Sequence, residues 1–356
     1  MTAGCVPLAD PVATLRLAAD TLMERLADPA YADPREAAEI ANFLRRANWP
    51  WAGPVAAALR RPGRDVPAFA TGLNVWDRIE EWEDDGPRPP AAHEPVSAAE
   101  AQGFLHDLLG PESESRLQQM DYCAATTSAF RPRDSRHENH IVLAEAGTGL
   151  GKTLGYLAPA WLWARRNSSP VWISTFTKNL QRQLEQEARR LVPDPQERRR
   201  RIVIRKGREN YLCLLNMQEA FGRMGGQGPK QALLAGLVAR WARHSRDGDM
   251  VGGDFPAWLL TLGGDRETQA QSPMALGLTD RRGECIYAAC PHYHTCFIER
   301  TVRRARRAEI VVANHALVMA QCVGREGQVH AVEPLPPLAA ALRRNLALNP
   351  SLPVRV

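Results

Sequence analysis

Residues 144–153, AEAGTGLGKT, set glycines at 147, 149 and 151 ahead of a lysine and a hydroxyl, Lys152 and Thr153. Glycines so spaced let successive backbone N–H groups turn inward around an anion, and a helix beginning at Lys152 adds the positive end of its dipole at the same point. This is phosphate chemistry. Lys152 would reach the β- and γ-phosphates of a nucleotide, and the Thr153 hydroxyl would coordinate Mg²⁺. The stretch fits the P-loop pattern, with Ala146 where its simplest form has glycine and with Thr148 and Leu150 completing the turn. The structural alternative, a glycine-rich turn joining a strand to a helix, is disfavoured by motif and context together.

A second constellation lies at 285–296, CIYAACPHYHTC, which holds three of the seven cysteines at C-x4-C-x5-C spacing. Without an export signal, an odd cysteine count points to reduced thiols, so clustering suggests a metal rather than disulfides. A fourth thiolate is available from Cys213, with 71 residues between it and Cys285. Zinc would accept four cysteines, with His292 or His294 as substitutes, but zinc sites usually include a tight C-x2–4-C knuckle. A [4Fe–4S] cube separates its irons and tolerates wider spacing, so Cys213, Cys285, Cys290 and Cys296 are read first as cluster ligands. Zinc and four unliganded buried cysteines remain the competing readings. Cys5, Cys123 and Cys322 are read as ordinary thiols.

Just beyond the cysteines, FIERTVRRARRAEIVV carries Arg300, Arg303, Arg304, Arg306 and Arg307. Arg300, Arg303 and Arg307 fall on one helical face with Arg304 close beside them, a pattern for a solvated basic helix or for contact with a phosphate backbone. Upstream of the P-loop, Gln119 in SRLQQMDY offers both a donor and an acceptor to an adenine edge, although surface glutamines are commoner.

These groups need a scaffold. From residue 113 short apolar runs at 140–146, 170–176, 200–206 and 308–316 alternate with helical patterns at 152–166 and 178–191, the βαβ rhythm of a parallel sheet covered by helices. About a hundred residues separate the third run from the fourth, too many for an ordinary crossover, so the spacing predicts an insertion containing the cysteines. Before residue 113, VATLRLAADTLMERLA and PREAAEIANFLRRA have helical periodicity, and the acidic, proline-rich stretch 80–95 reads as a linker or surface loop.

The overall charge of +5 hides a net −8 over residues 1–112 and +13 over the rest, which favours a polyanionic partner for the latter. The longest apolar run, 155–164, is shorter than the roughly 20 residues a membrane helix needs. With no leader pattern at the N-terminus, the reading is of a soluble, cytoplasmic chain of two or three domains.

Taken in order, Arg116-x-x-Gln119, EAGTGLGKT, WISTFTKNLQRQL, KGRENYLC, the C-x4-C-x5-C exit and IVVANHAL resemble the DinG/XPD family of iron–sulfur superfamily 2 DNA helicases, over about 113–320. The resemblance implies an α/β, RecA-like P-loop motor domain with an inserted, mostly helical iron–sulfur module. It implies ATP hydrolysis coupled to 5′→3′ movement of a monomer on single-stranded or forked DNA. It places Gln119 at adenine and Ser174, Thr175, Thr177 and Lys178 along the DNA track. On this basis 1–112 is an N-terminal helical accessory segment, 113–206 the first part of motor domain 1, 207–300 the cluster insertion, 301–322 the return to the motor domain, and 323–356 a divergent or truncated tail. The family's Asp-Glu-x-His box and second motor domain have no counterpart after His315, so the expectation is an incomplete N-terminal part, inactive by itself. Two other readings stand beside it: a non-motor nucleic-acid-binding module with a structural metal site and vestigial P-loop, and a P-loop phosphotransferase, which the basic surface does not favour.

Overall fold

The computed structural model describes residues 10–60, 73, 75, 78–83, 86, 89–110, 117–135, 140–147, 149–175, 178–224, 228–262, 276–280, 284–315, 317–319, 329–330 and 354–355. In chain order the helices are α1 (Pro11–Ala27), α2 (Pro34–Arg46), α3 (Ala52–Leu59), α4 (Ala98–Leu109), α5 (Leu117–Thr127), α6 (Lys152–Arg166), α7 (Lys178–Leu191), α8 (Pro195–Arg201), α9 (Leu214–Met224), α10 (Pro229–His244), α11 (Leu259–Leu262) and α12 (Phe297–Arg307). The strands are β1 (Val171–Thr175), β2 (Ile202–Arg205) and β3 (Ile310–Asn314), with a two-residue pair, β4 (Val329–His330) and β5 (Val354–Arg355). An Asp-Pro dipeptide starts each of α1, α2 and α8. The side chains of Asp10, Asp33 and Asp194 accept from backbone N–H groups in the first turn, and the following proline supplies a helical φ where no N–H is needed.

The chain folds as two compact units. One comprises 84–207 and 301–356. Its sheet has the order β1-β3-β2, all parallel, with Val171 and Ile202 both opposite Ile310. β3 is central and buried, as its β-branched IVVAN sequence suits. Ile310 and Val312 pack with Leu157, Trp161, Leu184 and Leu191 of α6 and α7, while Val311 meets Val203, Ala305 and Ala308 on the opposite face. α6 and α7 span the two segments whose periodicity predicts helices. The run at 140–146 is the exception: it forms no strand, and Ile141 and Leu143 are 79% and 96% exposed. A strand exists only through its ladder, and among the described residues none pairs with this segment, so apolar content alone does not make it one.

The other unit comprises 1–83 and 208–300. Leu73, Val75 and Ile79 enter the same core as Leu212, Met217, Leu234, Val238, Leu259, Leu278 and Phe297. The N-terminal segment is therefore divided: its part up to residue 83 packs with α9–α11, while α4 belongs to the unit that holds the sheet. Gly248, at φ +63, is required by close approach: a Cβ there would lie 2.4 Å from the Phe297 ring. α2 and α10 are joined through Glu36, whose carboxylate is fully buried. It meets Arg240 at 3.5 Å, Arg243 at 3.6 Å and His244 at 3.1 Å, while Arg243 also reaches Glu39 at 2.7 Å. Asp33, Glu36 and His244 bring ligand atoms within 4.8 Å of one another, but Arg240 and Arg243 already pair with Glu36, and Arg78 pairs with Asp33 at 3.5 Å, which makes this an ion cluster rather than a cation site. Among the described residues no helix is long and apolar enough to cross a membrane.

Candidate nucleotide cradle and cysteine centre

The P-loop heads α6. Gly149 and Gly151 both adopt φ +81, the left-handed region that glycine occupies without a steric penalty. Lys152 Nζ donates to the carbonyls of Ala146 (2.8 Å) and Gly147 (2.7 Å), so the ammonium is folded back onto its own loop. Thr153 follows in the first turn, and Leu150 is half-buried. Gln119 of α5 is 2% exposed and donates from Nε2 to the Gly151 carbonyl at 2.9 Å. It lies under the turn, and a Cβ at residue 151 would come within 2.3 Å of that same nitrogen. Gly151→Ala is accordingly expected to lower stability by at least about 1–2 kcal/mol from the left-handed φ alone. The urea midpoint measures this, and a midpoint equal to the parent's would contradict it. Arg116 and Thr148 lie outside the described residues.

The distant cysteine reaches the others by a short pairing. Leu212 bridges Thr279 in antiparallel fashion, and Cys213 N–H donates to the Leu278 carbonyl at 2.8 Å. Cys213, Cys285, Cys290 and Cys296 thereby line one cavity of about 30 Å³, with Arg208, Asp280, Tyr287 and His292 also on its wall. The loop carrying the last three is built from tight 3₁₀ turns, Tyr287–Ala289 and Tyr293–Thr295. Its Tyr287 N–H donates to Cys285 Sγ at 3.4 Å. Burial pushes the Cys213 thiol up to about 11 and the Cys296 thiol upward as well. Loading a metal would therefore release protons from both. Arg208, paired with Asp280 and stacked 5.2 Å from the Tyr287 ring, places positive charge near Cys285. His292 bonds to Gln218 at 2.7 Å, and burial pulls its imidazole below the usual value, so it is neutral and already oriented.

Four thiolates at zinc's bond length of about 2.3 Å would stand about 3.8 Å apart. Among the described residues, Asp33, Glu36 and His244 form the one set of three or more His, Cys, Asp or Glu ligand atoms within 4.8 Å of one another. No three of the four cysteine sulfurs lie that close together, and a donor set that is all thiol suits either zinc or an iron–sulfur cube. Cys123 belongs elsewhere, buried against α4 and α6, with its thiol pushed up to about 11 by burial. Cys5 and Cys322 lie outside the described residues.

The remaining predicted contacts are more varied. Ser174, at the end of β1, hydrogen-bonds to Nδ1 of His315, a residue whose part in the site was not evident from spacing. Thr175 is buried and directs its hydroxyl to the Ala313 carbonyl at 3.4 Å. Thr177 and the Lys178 side chain lie outside the described residues. Arg300, Arg304 and Arg307 donate to the carbonyls of Glu80, Arg199 and Gly86 respectively, and Arg303 is half-buried. These bonds give the arginines a structural role whatever else they touch.

An α/β chain with a P-loop sequence opening a helix is similar in pattern to nucleotide-binding proteins. No family model matches it. Its curated relatives are more specific: it is 31% identical over 220 residues to the ATP-dependent DNA helicase YoaA of Escherichia coli, covering 57% of this chain and 31% of that protein. It is 33% identical over 224 residues to the ATP-dependent helicase DinG of Mycobacterium tuberculosis, covering 58% and 31%, and 28% identical over 221 residues to the 3′-5′ exonuclease DinG of Bacillus subtilis, covering 60% and 21%. The chain is a relative of the DinG-type helicases, and the match spans about a third of the length of YoaA and of the mycobacterial DinG.

Proposed function

We propose that these residues form the nucleotide- and cluster-binding part of an ATP-dependent DNA helicase of the DinG type, working 5′→3′ as a cytoplasmic monomer on single-stranded or forked DNA. The reading rests on one observation above all: four cysteines, one from far along the chain, converge on a single cavity in a relative of named helicases that also carries a P-loop. Lys152 would exchange the carbonyls of Ala146 and Gly147 for the β- and γ-phosphates, and Thr153 would hold Mg²⁺. Residues 146–151 would supply the backbone N–H groups around the phosphates. Gln119 is assigned to the adenine edge, which would require it to exchange its present bond to the Gly151 carbonyl. Cys213, Cys285, Cys290 and Cys296 would hold a [4Fe–4S] cluster, which supplies a rigid, covalently anchored centre when bound.

Ser174, Thr175, Thr177 and Lys178 are assigned to the DNA track, with Arg300, Arg303, Arg304 and Arg307 as phosphate contacts. For Thr175 and for the three carbonyl-bonded arginines this requires exchange of their present bonds. These 356 residues contain no Asp-Glu-x-His sequence to activate water, so by themselves they should hydrolyse ATP barely if at all. That same feature favours the second reading, a nucleic-acid-binding module with a structural metal. Anaerobic purification with iron and zinc analysis tests the cluster: about four irons per chain support it, and stoichiometric zinc refutes it. DNA affinity that responds to ATP and loses the response in Lys152→Ala supports the motor reading; affinity indifferent to both favours the module.

A further inference from the structure

The loop that carries Cys285, Cys290 and Cys296 is held internally by short-range bonds: Cys290 N–H to Tyr287 O, Tyr293 N–H to Cys290 O, and Cys296 N–H to Tyr293 O at 3.2 Å. Turns of this kind leave carbonyls pointing outward, and without outside partners they open easily. Outside partners come from the far end of the sequence. Trp82 N–H donates to the His294 carbonyl at 2.8 Å, and its indole Nε1–H donates to the Tyr293 carbonyl at 2.9 Å, the same oxygen that receives Cys296 N–H. The indole ring meets Tyr293 edge-on at 4.9 Å and lies 5.0 Å from the His294 ring. Two residues earlier, the Glu80 carbonyl accepts from Arg300, one turn into the helix that follows Cys296. The segment is anchored behind by Ile79, buried in the core that also holds Phe297.

We propose that Trp82 is a positioning residue for the cysteine centre, and that residues 79–82 act as a strap across the x5 segment, fixing Cys290 and Cys296 in the spacing a metal cluster needs. The proposal rests on the cluster reading above, and it makes residues 79–82 part of the metal-binding unit rather than of a linker. Trp82 acts through the loop and not on the sulfurs. It satisfies two carbonyls within the loop and excludes water from one side, since only 8% of its surface is exposed.

The test uses the full chain, with Trp82→Ala and Trp82→Phe compared with the parent. Phenylalanine keeps a ring and the backbone N–H but loses the indole donor. In anaerobically purified protein, iron loss to a colorimetric chelator should accelerate about tenfold or more in Trp82→Ala and by less in Trp82→Phe. In metal-free protein, amide exchange at 290–296 should rise in the same order, while exchange in β1–β3 stays at the parent's level. If Trp82→Ala does not fold, the comparison of Trp82→Phe with the parent carries the test. Equal chelation rates and equal exchange across the variants would overturn the strap. A parent that binds no iron would instead sink the cluster reading, and the metal-free exchange would still decide whether the strap exists.

Discussion

Cys213→Ser is expected to empty the metal site, taking iron from about four per chain to less than about one and removing the broad visible absorption of the cluster. Serine is close in size and keeps the backbone N–H that bonds Leu278, so the antiparallel contact delivering residue 213 survives. What is lost is chemistry: a hydroxyl does not become an anionic ligand where a thiol does. Far-UV circular dichroism of the metal-free variant should match that of the metal-free parent, separating ligation from folding. Cys290→Ser should behave alike and should also loosen 207–300, because metal binding is folding free energy for the unit that contains it. Cys123→Ser is the control, since that thiol is buried in a core of the other unit and does not line the cavity. Iron content unchanged in Cys213→Ser would remove the distant ligand, and with it the strongest support for the assignment.

The largest expected loss of stability comes from a different place. Arg243→Met should destabilise the unit built from 1–83 and 208–300 by about 3–5 kcal/mol, because it takes the buried cationic partner from a fully buried carboxylate. Arg243 is itself almost wholly buried between Glu36 and Glu39. Arg240 and His244 remain as partners of Glu36, but both are substantially exposed and share its other oxygen. Removing both charges by Glu36→Met together with Arg243→Met should restore most of the loss, since replacing a whole buried pair by apolar groups is often close to neutral. Denaturant midpoints for the two singles and the double give the coupling directly. An Arg243→Met midpoint within a few tenths of a molar of the parent's would show that the ion cluster is not what joins α2 to α10.

Local chemistry was the most legible part of the sequence. Asp-Pro at 10–11, 33–34 and 194–195 announces helix starts, because the carboxylate and the fixed φ each act within one turn. The P-loop likewise announces the head of α6. The extent of α6 and α7 follows from periodicity, and the three parallel strands from β-branched runs. Long-range consequences were less visible. Ile141 and Leu143 have strand-like spacing, yet a ladder depends on a neighbour that spacing does not reveal. Trp82 sits in what reads as an acidic linker, and only the fold brings it to carbonyls more than two hundred residues away. His315 is similar: nothing in its own neighbourhood pairs it with Ser174.

The position of β3 between β1 and β2 also has a bearing on how the chain is made. Both edge strands leave the ribosome long before Ile310, and the whole of 208–300 is synthesised in between. Until β3 arrives, their backbone donors and acceptors have no parallel neighbour among the described strands, a condition that invites pairing with other nascent chains. Closing a loop of this length is entropically slow, so the inserted unit should fold first and shorten the effective search for the last strand. Translation speed through the insertion would then influence the yield of native protein.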